Sequence, residues 1–549
     1  MERFSETWPL LPEPVRRGLL VGSEGKLHLM YLAQELLLGA QTAAPALRKV
    51  YLDLGIDLLR AAWSKDPLDG QLAGQLLALD EKWPRLDARS KAVARRVAER
   101  WSRPEDLRYY RRLAEGQDME KIRRFLLIQF DKDGGNLYWR QQAVSLGMYE
   151  QDRELLESML ECDWSGFETC RAALSGDVKW LSGDRDAACA SYAAAMGLDA
   201  VFRRAEQSFC SGREREARAL WRDMFQIAPW MSSETLRIFD LLQDTGKRRG
   251  KVSGRVAIVL YSFNKAAELD ATLGSLFASD IASHPVWVLD NGSSDGTAAV
   301  IDSWVERTGG RLRRIDLHVN IGAPAARNWL MSVPEIRECE WIAYLDDDVE
   351  LPADWLSLFG AAVDAYPLAG VWGCKVVDHA QECVIQSADL HLLPPVSEDD
   401  KLSERRFKVS DLHHQTLDFG QFGFMRPCAS VTGCCHLFRM DRLLGSGGFD
   451  LRFSPSQYDD LEHDIRLNMQ GSYAVYQGFL SVRHKKRTGK SSRTSTAEYG
   501  NALGNMHKLQ KKYSLEECNR AMAWESEVLA GDFLRKREIV MRWLAEGER

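Results

Sequence analysis

The chain has 549 residues, too many for one hydrophobic core, and its 45% apolar and 28% charged residues exclude a disordered chain. Its formal net charge is −7, with Lys and Arg scattered through most of the length, which excludes a global nucleic-acid footprint. Eleven cysteines without a CxxC pair, and no basic segment leading into an apolar run at the start, predict free thiols in a reducing cytoplasm.

From Met1 to about Gln243 apolar residues recur at helical spacing, broken by turn signals at Pro12-Glu13-Pro14, Asp69-Gly70 and Asp133-Gly134-Gly135. An all-helical domain is expected over 1–246. Near its end Ala188, Tyr192, Ala195 and Met196 recur 29 positions later as Ala217, Trp221, Met224 and Phe225, each set following a Ser-Gly turn. Such spacing would place these residues on one face of stacked hairpins of the tetratricopeptide type, but the period is short of the usual repeat of about 34, so a plain bundle stays open. The longest small-apolar stretch, Ala187 to Leu198, ends at Asp199 and falls well short of the roughly 20 residues of a membrane span. The chain is expected not to cross a bilayer, and to meet a membrane only peripherally, through partners.

A basic, Gly-bearing run reads as a linker over 247–254, with its charges solvated. The pattern then changes. Val256 to Tyr261 is a continuous apolar run fit for a buried parallel strand, and Val286 to Leu289, Leu312 to Val319 and Trp341 to Leu345 follow, separated by helical patterns. Strands alternating with helices predict a mostly parallel, doubly wound α/β sheet over 255–495, whose ligands sit at the carboxyl ends of the strands. The polar clusters fall at such ends. A helical extension over 496–549 completes the chain.

The acid triplet Asp346-Asp347-Asp348 ends the fourth strand, where mutual repulsion and desolvation are tolerable if a cation sits there. A hard divalent ion shared with phosphate oxygens suits it, Mg²⁺ or Mn²⁺, although the acids could equally cap the helix that begins near Pro352. Asp290, opening the turn Asp290-Asn-Gly-Ser-Ser-Asp-Gly-Thr297, is placed to accept hydrogen bonds from a base or ribose, while the turn taken alone reads as a simple connector. Arg327, on the first turns of a helix opened by Gly322, suits a diphosphate or a solvated helix face. Further on, Asp459-Asp460-Leu-Glu462 opens an amphipathic helix, where acids also serve the helix dipole. A later strand ends at His484, followed by Lys485, Lys486, Arg487, Lys490 and Arg493, a segment suited to closing over phosphates.

In this order, Tyr261-Ser-Phe-Asn264, Asp290 to Thr297, Asn320-x-Gly-x-x-x-Ala-Arg-Asn328, Asp346 to Asp348, Gly447-Gly-Phe-Asp450, Asp459-Asp460 and His484 resemble the family 2 glycosyltransferases with the GT-A fold. The resemblance covers roughly 255–487. It implies that Asp346 and Asp348 hold the metal with His484 as a further ligand, and that Asp460 is the catalytic base. Donor contacts are implied at Tyr261, Asn264, Asp290, Asn320, Gly322, Arg327 and Asp347. The pair Asp459-Asp460 departs from the family's Glu-Asp, which leaves the base open between neighbours. The stretch Lys375 to Pro427 is individual to this chain, and a second metal site of Asp389, His391, His413 and His414 is disfavoured because the spacings match no zinc pattern.

The implied reaction is metal-dependent, inverting transfer of a sugar from a nucleoside diphosphate to a hydroxyl on a glycan, a lipid-linked glycan or a protein. Competing readings are a helical scaffold carrying a decayed transferase domain and a sugar-phosphate nucleotidyltransferase; the retained acids weigh against the first, and the lack of a Gly-rich basic loop after the first strand against the second. The helical N-terminal region and tail are expected to dock a protein partner, an acceptor or a second copy.

Overall fold

The computed structural model describes residues 7–116, 118–395, 405–485 and 496–546. Its contacts divide the chain into one unit of Met1–Ile238, Gln415–Phe419 and Glu538–Arg549, and another of Phe239–His414 and Gly420–Arg537.

The first unit is helical, and capping side chains open many of its helices, one of them at the expected Asp69-Gly70 turn. Asp69, Asp87, Asp118, Asn136, Asp152 and Asp184 each accept a hydrogen bond from a backbone N–H two or three residues on, opening the helices Gly70–Lys82, Ala88–Arg100, Met119–Lys132, Leu137–Glu150, Arg153–Leu160 and Arg185–Tyr192. The apparent repeat holds only in part. Ala217, Trp221, Met224 and Phe225 are buried on the helix Glu214–Ile227, as expected. Ala188 and Tyr192 match the first two, but their helix stops at Tyr192, so Ala195 and Met196 lie beyond it and share no helical face with them. Residues Gln415–Phe419 also belong to this unit: the Gln415 side-chain oxygen accepts from the Leu27 and His28 N–H groups, and the Trp180 indole donates to the Phe419 carbonyl.

The second unit is built on one ten-stranded sheet. Its strands are β1 (Val256–Ser262), β2 (Val286–Asp290), β3 (Leu312–Asp316), β4 (Trp341–Leu345), β5 (Val349–Glu350), β6 (Val371–Asp378) and β7 (Ile385–Ser387), then, after the small pair β8 (Leu392–Leu393) and β9 (Lys408–Val409), β10 (Met425–Cys428), β11 (Cys435–Arg439) and β12 (Ala474–His484). The order is β10-β12-β6-β11-β4-β1-β2-β3, with β5 on β12 and β7 on β6. The strands β3, β2, β1 and β4 pair in parallel, and β2 and β4 are buried throughout, as continuous apolar runs require. Beyond β4 the sheet is mixed: β11 runs antiparallel to β4 and β6, while β12 returns parallel to β6.

Segment 247–254, expected as a linker, is docked instead. Gly250 donates to the Ser357 carbonyl and lies so close to Gly360 and Ala361 that a Cβ at Gly250 would fall 2.5 Å from the Ala361 nitrogen. Two glycines back to back permit this approach. The tail is likewise no free extension: Leu509 on the helix Thr496–Lys512, Tyr513 just after it, and Cys518, Ala521 and Met522 on the helix Leu515–Ala545 share one apolar cluster with Leu461 and Ile465. The helix Asp459–Met469, which carries the expected base, is therefore braced from the C-terminal side. Among the described residues no helix is long and apolar enough to cross a membrane.

Candidate active site

Parallel pairing sets the strand ends level. Leu260 lies opposite Leu345 and Ser262 opposite Asp290, so β1, β2 and β4 deliver Tyr261, Ser262, Asp290 and the acid triplet to one edge of the sheet. Two antiparallel pairings add what the parallel half lacks. Cys435 pairs with Leu345, and the Asp346 N–H donates to the Cys434 carbonyl at 2.9 Å. His484 pairs with Val349, which sets its imidazole beside Asp348.

The three acids take different roles. Asp348 is buried, with one oxygen 2.9 Å from His484 Nε2 and the other 2.8 Å from Lys265 Nζ. Burial alone would raise its carboxyl, but His484 and Lys265 outweigh it and hold the pKa well below the usual range. Asp347, expected among the donor contacts, faces inward: its oxygens accept from Ser262 Oγ at 2.7 Å and Lys265 Nζ at 3.0 Å. Burial raises its pKa against the pull of Lys265. Asp346 is the loosely held acid, 24% exposed, 3.4 Å from the Tyr261 hydroxyl and 3.8 Å from the Arg327 guanidinium. Ligand atoms of Asp346, Cys434 and His484 all lie within 4.8 Å of one another.

His484 is oriented from behind. Its Nδ1 sits 2.7 Å from the Gln386 side-chain oxygen, which can only accept, so Nδ1 carries a proton and Nε2 is the atom turned to the acids.

The pair at the head of the helix Asp459–Met469 is resolved by the same geometry. Asp459 is buried and paired with Arg327, whose guanidinium also reaches the Gly433 carbonyl at 3.4 Å. Burial and the adjacent Asp460 push the Asp459 carboxyl up, against the pull of Arg327. Asp460 is partly exposed, and its oxygens accept from the Gly433 and Leu461 N–H groups, both at 2.8 Å. Arg327, expected to face a diphosphate, is instead buried between Asp459 and Asp346, its guanidinium over the Tyr261 and Phe449 rings.

The remaining expected donor residues line the neighbouring strand ends. Asp290 accepts from Ser293 N–H, and Asn264, at φ +54°, accepts from Ser294 N–H. Asn320 accepts from Asn291 and from Gly322 N–H. Gly322 has φ +81° and lies where a Cβ would approach the Pro455 carbonyl to 3.0 Å, so this turn requires glycine. Of the basic run after His484, Lys485 donates its N–H to the Asp348 carbonyl; Lys486, Arg487, Lys490 and Arg493 lie outside the described residues.

Sequence reasoning missed Lys265, Ser262, Gln386 and Cys434. Lys265 adjoins the motif residue Asn264 at a strand end, which was a usable signal; Cys434 and Gln386 reach the site only through β11 and the β7 edge. Among the described residues the histidines of the individual stretch belong to no cluster of candidate metal ligands. His391 lies between Asp389, 3.0 Å away, and Glu525, 2.8 Å away, with Arg426 closing on Asp389, so a structural cation already serves these acids. In the helical unit Glu24, Asp199 and Glu234 also cluster, but Lys65 sits 2.8 Å from Glu24 and 2.9 Å from Asp199.

Residues 257–427 match the family model described as Glycosyl transferase family 2. No curated protein matches the chain. Similar solved structures include GalNAc-T7 with UDP, GalNAc and Mn²⁺, at 12% identity and TM-score 0.38 over 51% of this chain and 57% of that one. The mannosyltransferase PcManGT from Pyrobaculum calidifontis, in complex with GDP-Man and Mn²⁺, matches at 16% identity and TM-score 0.31 over 56% of this chain and 90% of its own. S. aureus TarS matches at 14% identity and TM-score 0.31 over 51% and 43%. These likenesses are too slight to carry residue roles, and the chain spans little more than half of the GalNAc-T7 structure. The family match and the mixed α/β sheet together place a glycosyl transferase family 2 domain in the second unit, over residues 257–427.

Proposed function

We propose that the protein is a metal-dependent, inverting transferase that moves a sugar from a nucleoside-diphosphate donor to a hydroxyl acceptor on a glycan, a lipid-linked glycan or a protein. One arrangement supports this reading above the rest: the loosely held Asp346, with Asp348 and His484, meets the partly exposed Asp460 across the strip Thr432 to Cys434. The donor set fits a divalent ion, since carboxylate oxygens suit Mn²⁺ or Mg²⁺, and with Nδ1 held protonated by Gln386 an arriving ion would displace the proton that His484 Nε2 now shares with Asp348. Asp346, Asp348 and His484 would hold the ion, which when bound supplies Lewis-acid stabilisation of the departing diphosphate.

The chain's own residues do the rest. Asp460 takes the acceptor's hydroxyl proton as the bond to the leaving group breaks and an oxocarbenium-like centre develops. The Gly433 and Leu461 N–H groups fix that carboxylate's orientation, while Arg327 holds Asp459 out of the reaction. Asp290, Asn264, Asn320 and Gly322 border the nucleotide at the ends of β1 to β3. The helical unit would select the acceptor or a protein partner.

The test is release of UDP, GDP or dTDP from a panel of nucleotide sugars, with Mn²⁺, with Mg²⁺ and with chelator. Metal-dependent release from one donor is expected. Turnover unchanged by chelator would remove the metal from the reading, and no turnover of any donor would remove the reading itself.

A further inference from the structure

Resting on that reading, we propose that Cys434 is a thiolate ligand of the metal centre, so that the site prefers borderline and soft divalent ions over Mg²⁺. The observation is the donor group itself: the Cys434 Sγ, an Asp346 oxygen and a His484 ring nitrogen all lie within 4.8 Å of one another. An ion with metal–sulfur bonds of about 2.3 Å and metal–nitrogen or metal–oxygen bonds of about 2.0–2.2 Å would draw these three atoms closer together than that limit, a small adjustment of side chains already gathered at one point.

Three further contacts set the thiol there. The Cys434 carbonyl accepts from the Asp346 N–H at 2.9 Å, which fixes the two residues side by side, one just before β11 and the other just after β4. The preceding Gly433 is held on both sides, its N–H on Asp460 and its carbonyl facing Arg327, so the strip cannot swing its sulfur away without moving the base. Thr432 Oγ1 donates to the sulfur at 3.6 Å, while burial and the neighbouring Asp346 push the thiol's pKa up, so the sulfur keeps its proton until an ion displaces it. His484, its Nδ1 bonded to Gln386, presents Nε2.

The chemistry of the set differs from one made of oxygen alone. A site of carboxylates and water suits Mg²⁺ and Mn²⁺, whereas a thiolate and an imidazole shift preference towards Co²⁺, Zn²⁺ and Cd²⁺. Ligation exchanges the thiol proton for a metal–sulfur bond, and that proton leaves to solvent. No electron is transferred.

The experiment uses the full-length protein and Cd²⁺ or Co²⁺ as the probe, reading sulfur-to-metal charge-transfer absorption beside binding isotherms for Mg²⁺ and Mn²⁺. Wild type is expected to show the band, and Cys434→Ser to lose it, with Cd²⁺ affinity falling on the order of 10- to 100-fold while Mg²⁺ affinity changes by less than about threefold. Cys210→Ser, at an exposed thiol of the helical unit, should keep the band. Circular dichroism of Cys434→Ser and of Cys434→Ala shows whether the fold is intact, and the two variants should agree. If wild type binds Mn²⁺ and nucleotide yet shows no band, or if Cys434→Ser retains it, the thiolate is overturned and the metal reading stands. If wild type binds none of these ions in the presence of nucleoside diphosphate, the thiolate and the metal reading fall together.

Discussion

Two charged clusters in the same unit are built from similar residues and have opposite characters. Asp389, His391, Arg426 and Glu525 are each at most 6% exposed and complete one another, acid against cation. The acid turn does not close in this way. Asp348 and Asp347 are held by Lys265, but Asp346 stays 24% exposed with no close cation, a long contact from Tyr261 and a distant Arg327, and it lies beside Cys434 and His484. Burial and charge alone therefore do not separate the two clusters; an acid without a close cation among oriented ligands does.

This contrast is open to direct attack. The largest effect is expected from the open side: Asp460→Asn keeps the shape but removes the base, so kcat should fall on the order of 10²- to 10⁴-fold in initial-rate assays, with nucleotide affinity little changed. Asp459→Asn should instead lower the melting temperature, because it weakens the buried partner of Arg327, and reduce kcat much less. A crippled Asp459→Asn beside an active Asp460→Asn would exchange the two roles.

On the closed side, Glu525→Ala leaves His391 and the Leu392 N–H without their carboxylate. A loss of about 3–5 kcal/mol is expected in denaturant unfolding, with metal-dependent nucleotide binding kept by the folded fraction. If stability barely moved and nucleotide binding vanished, the closed cluster would belong to the site. Next in size is the metal response. Wild type should gain about 2.7 kcal/mol when an ion and nucleotide bind at 100 times their Kd, read as a thermal shift, and Asp348→Ala should behave like chelated wild type. An undiminished shift in Asp348→Ala would take that acid out of the metal set.

The smallest effect concerns pH. Burial, helped by His414, lowers the His413 pKa from 6.5 to about 3 against the opposing pull of Asp389 and Asp411. The unfolded chain then binds the proton that the folded one refuses, so His413 should cost stability progressively as pH falls from about 6.5 towards 3, and nothing above that window. His413→Gln should flatten that part of the stability curve; an unchanged slope would assign the acid sensitivity to other groups.

Much of the parallel half of the fold was legible, because β1, β2 and β4 are continuous apolar runs whose ends carry the polar motifs. The antiparallel half was not. No local pattern says that Cys435 pairs with Leu345, so neither the approach of Cys434 to Asp346 nor the reach of Gln386 to His484 could be read from spacing. Arg327 and Asp347 were recognisable as motif residues, but their direction depends on Asp459, Ser262 and Lys265 across the fold. Segment 247–254 looked like a linker because glycine and charge are common to linkers and to tight backbone contacts alike; only the presence of Gly360 opposite Gly250 separates the two.

The strip Thr432 to Cys434 ties the acceptor's base to the donor's acids through backbone hydrogen bonds, and at Gly433 a Cβ would fall 2.4 Å from the Arg327 guanidinium, so the strip has little room to shift independently. A nucleotide that stills one end of such a strip also narrows the positions open to the other. Donor binding should then sharpen the acceptor subsite, and the acceptor should tighten the donor by the same factor, because linkage between two equilibria runs equally in both directions. The coupling between the two substrates would in this way be carried by three residues of main chain.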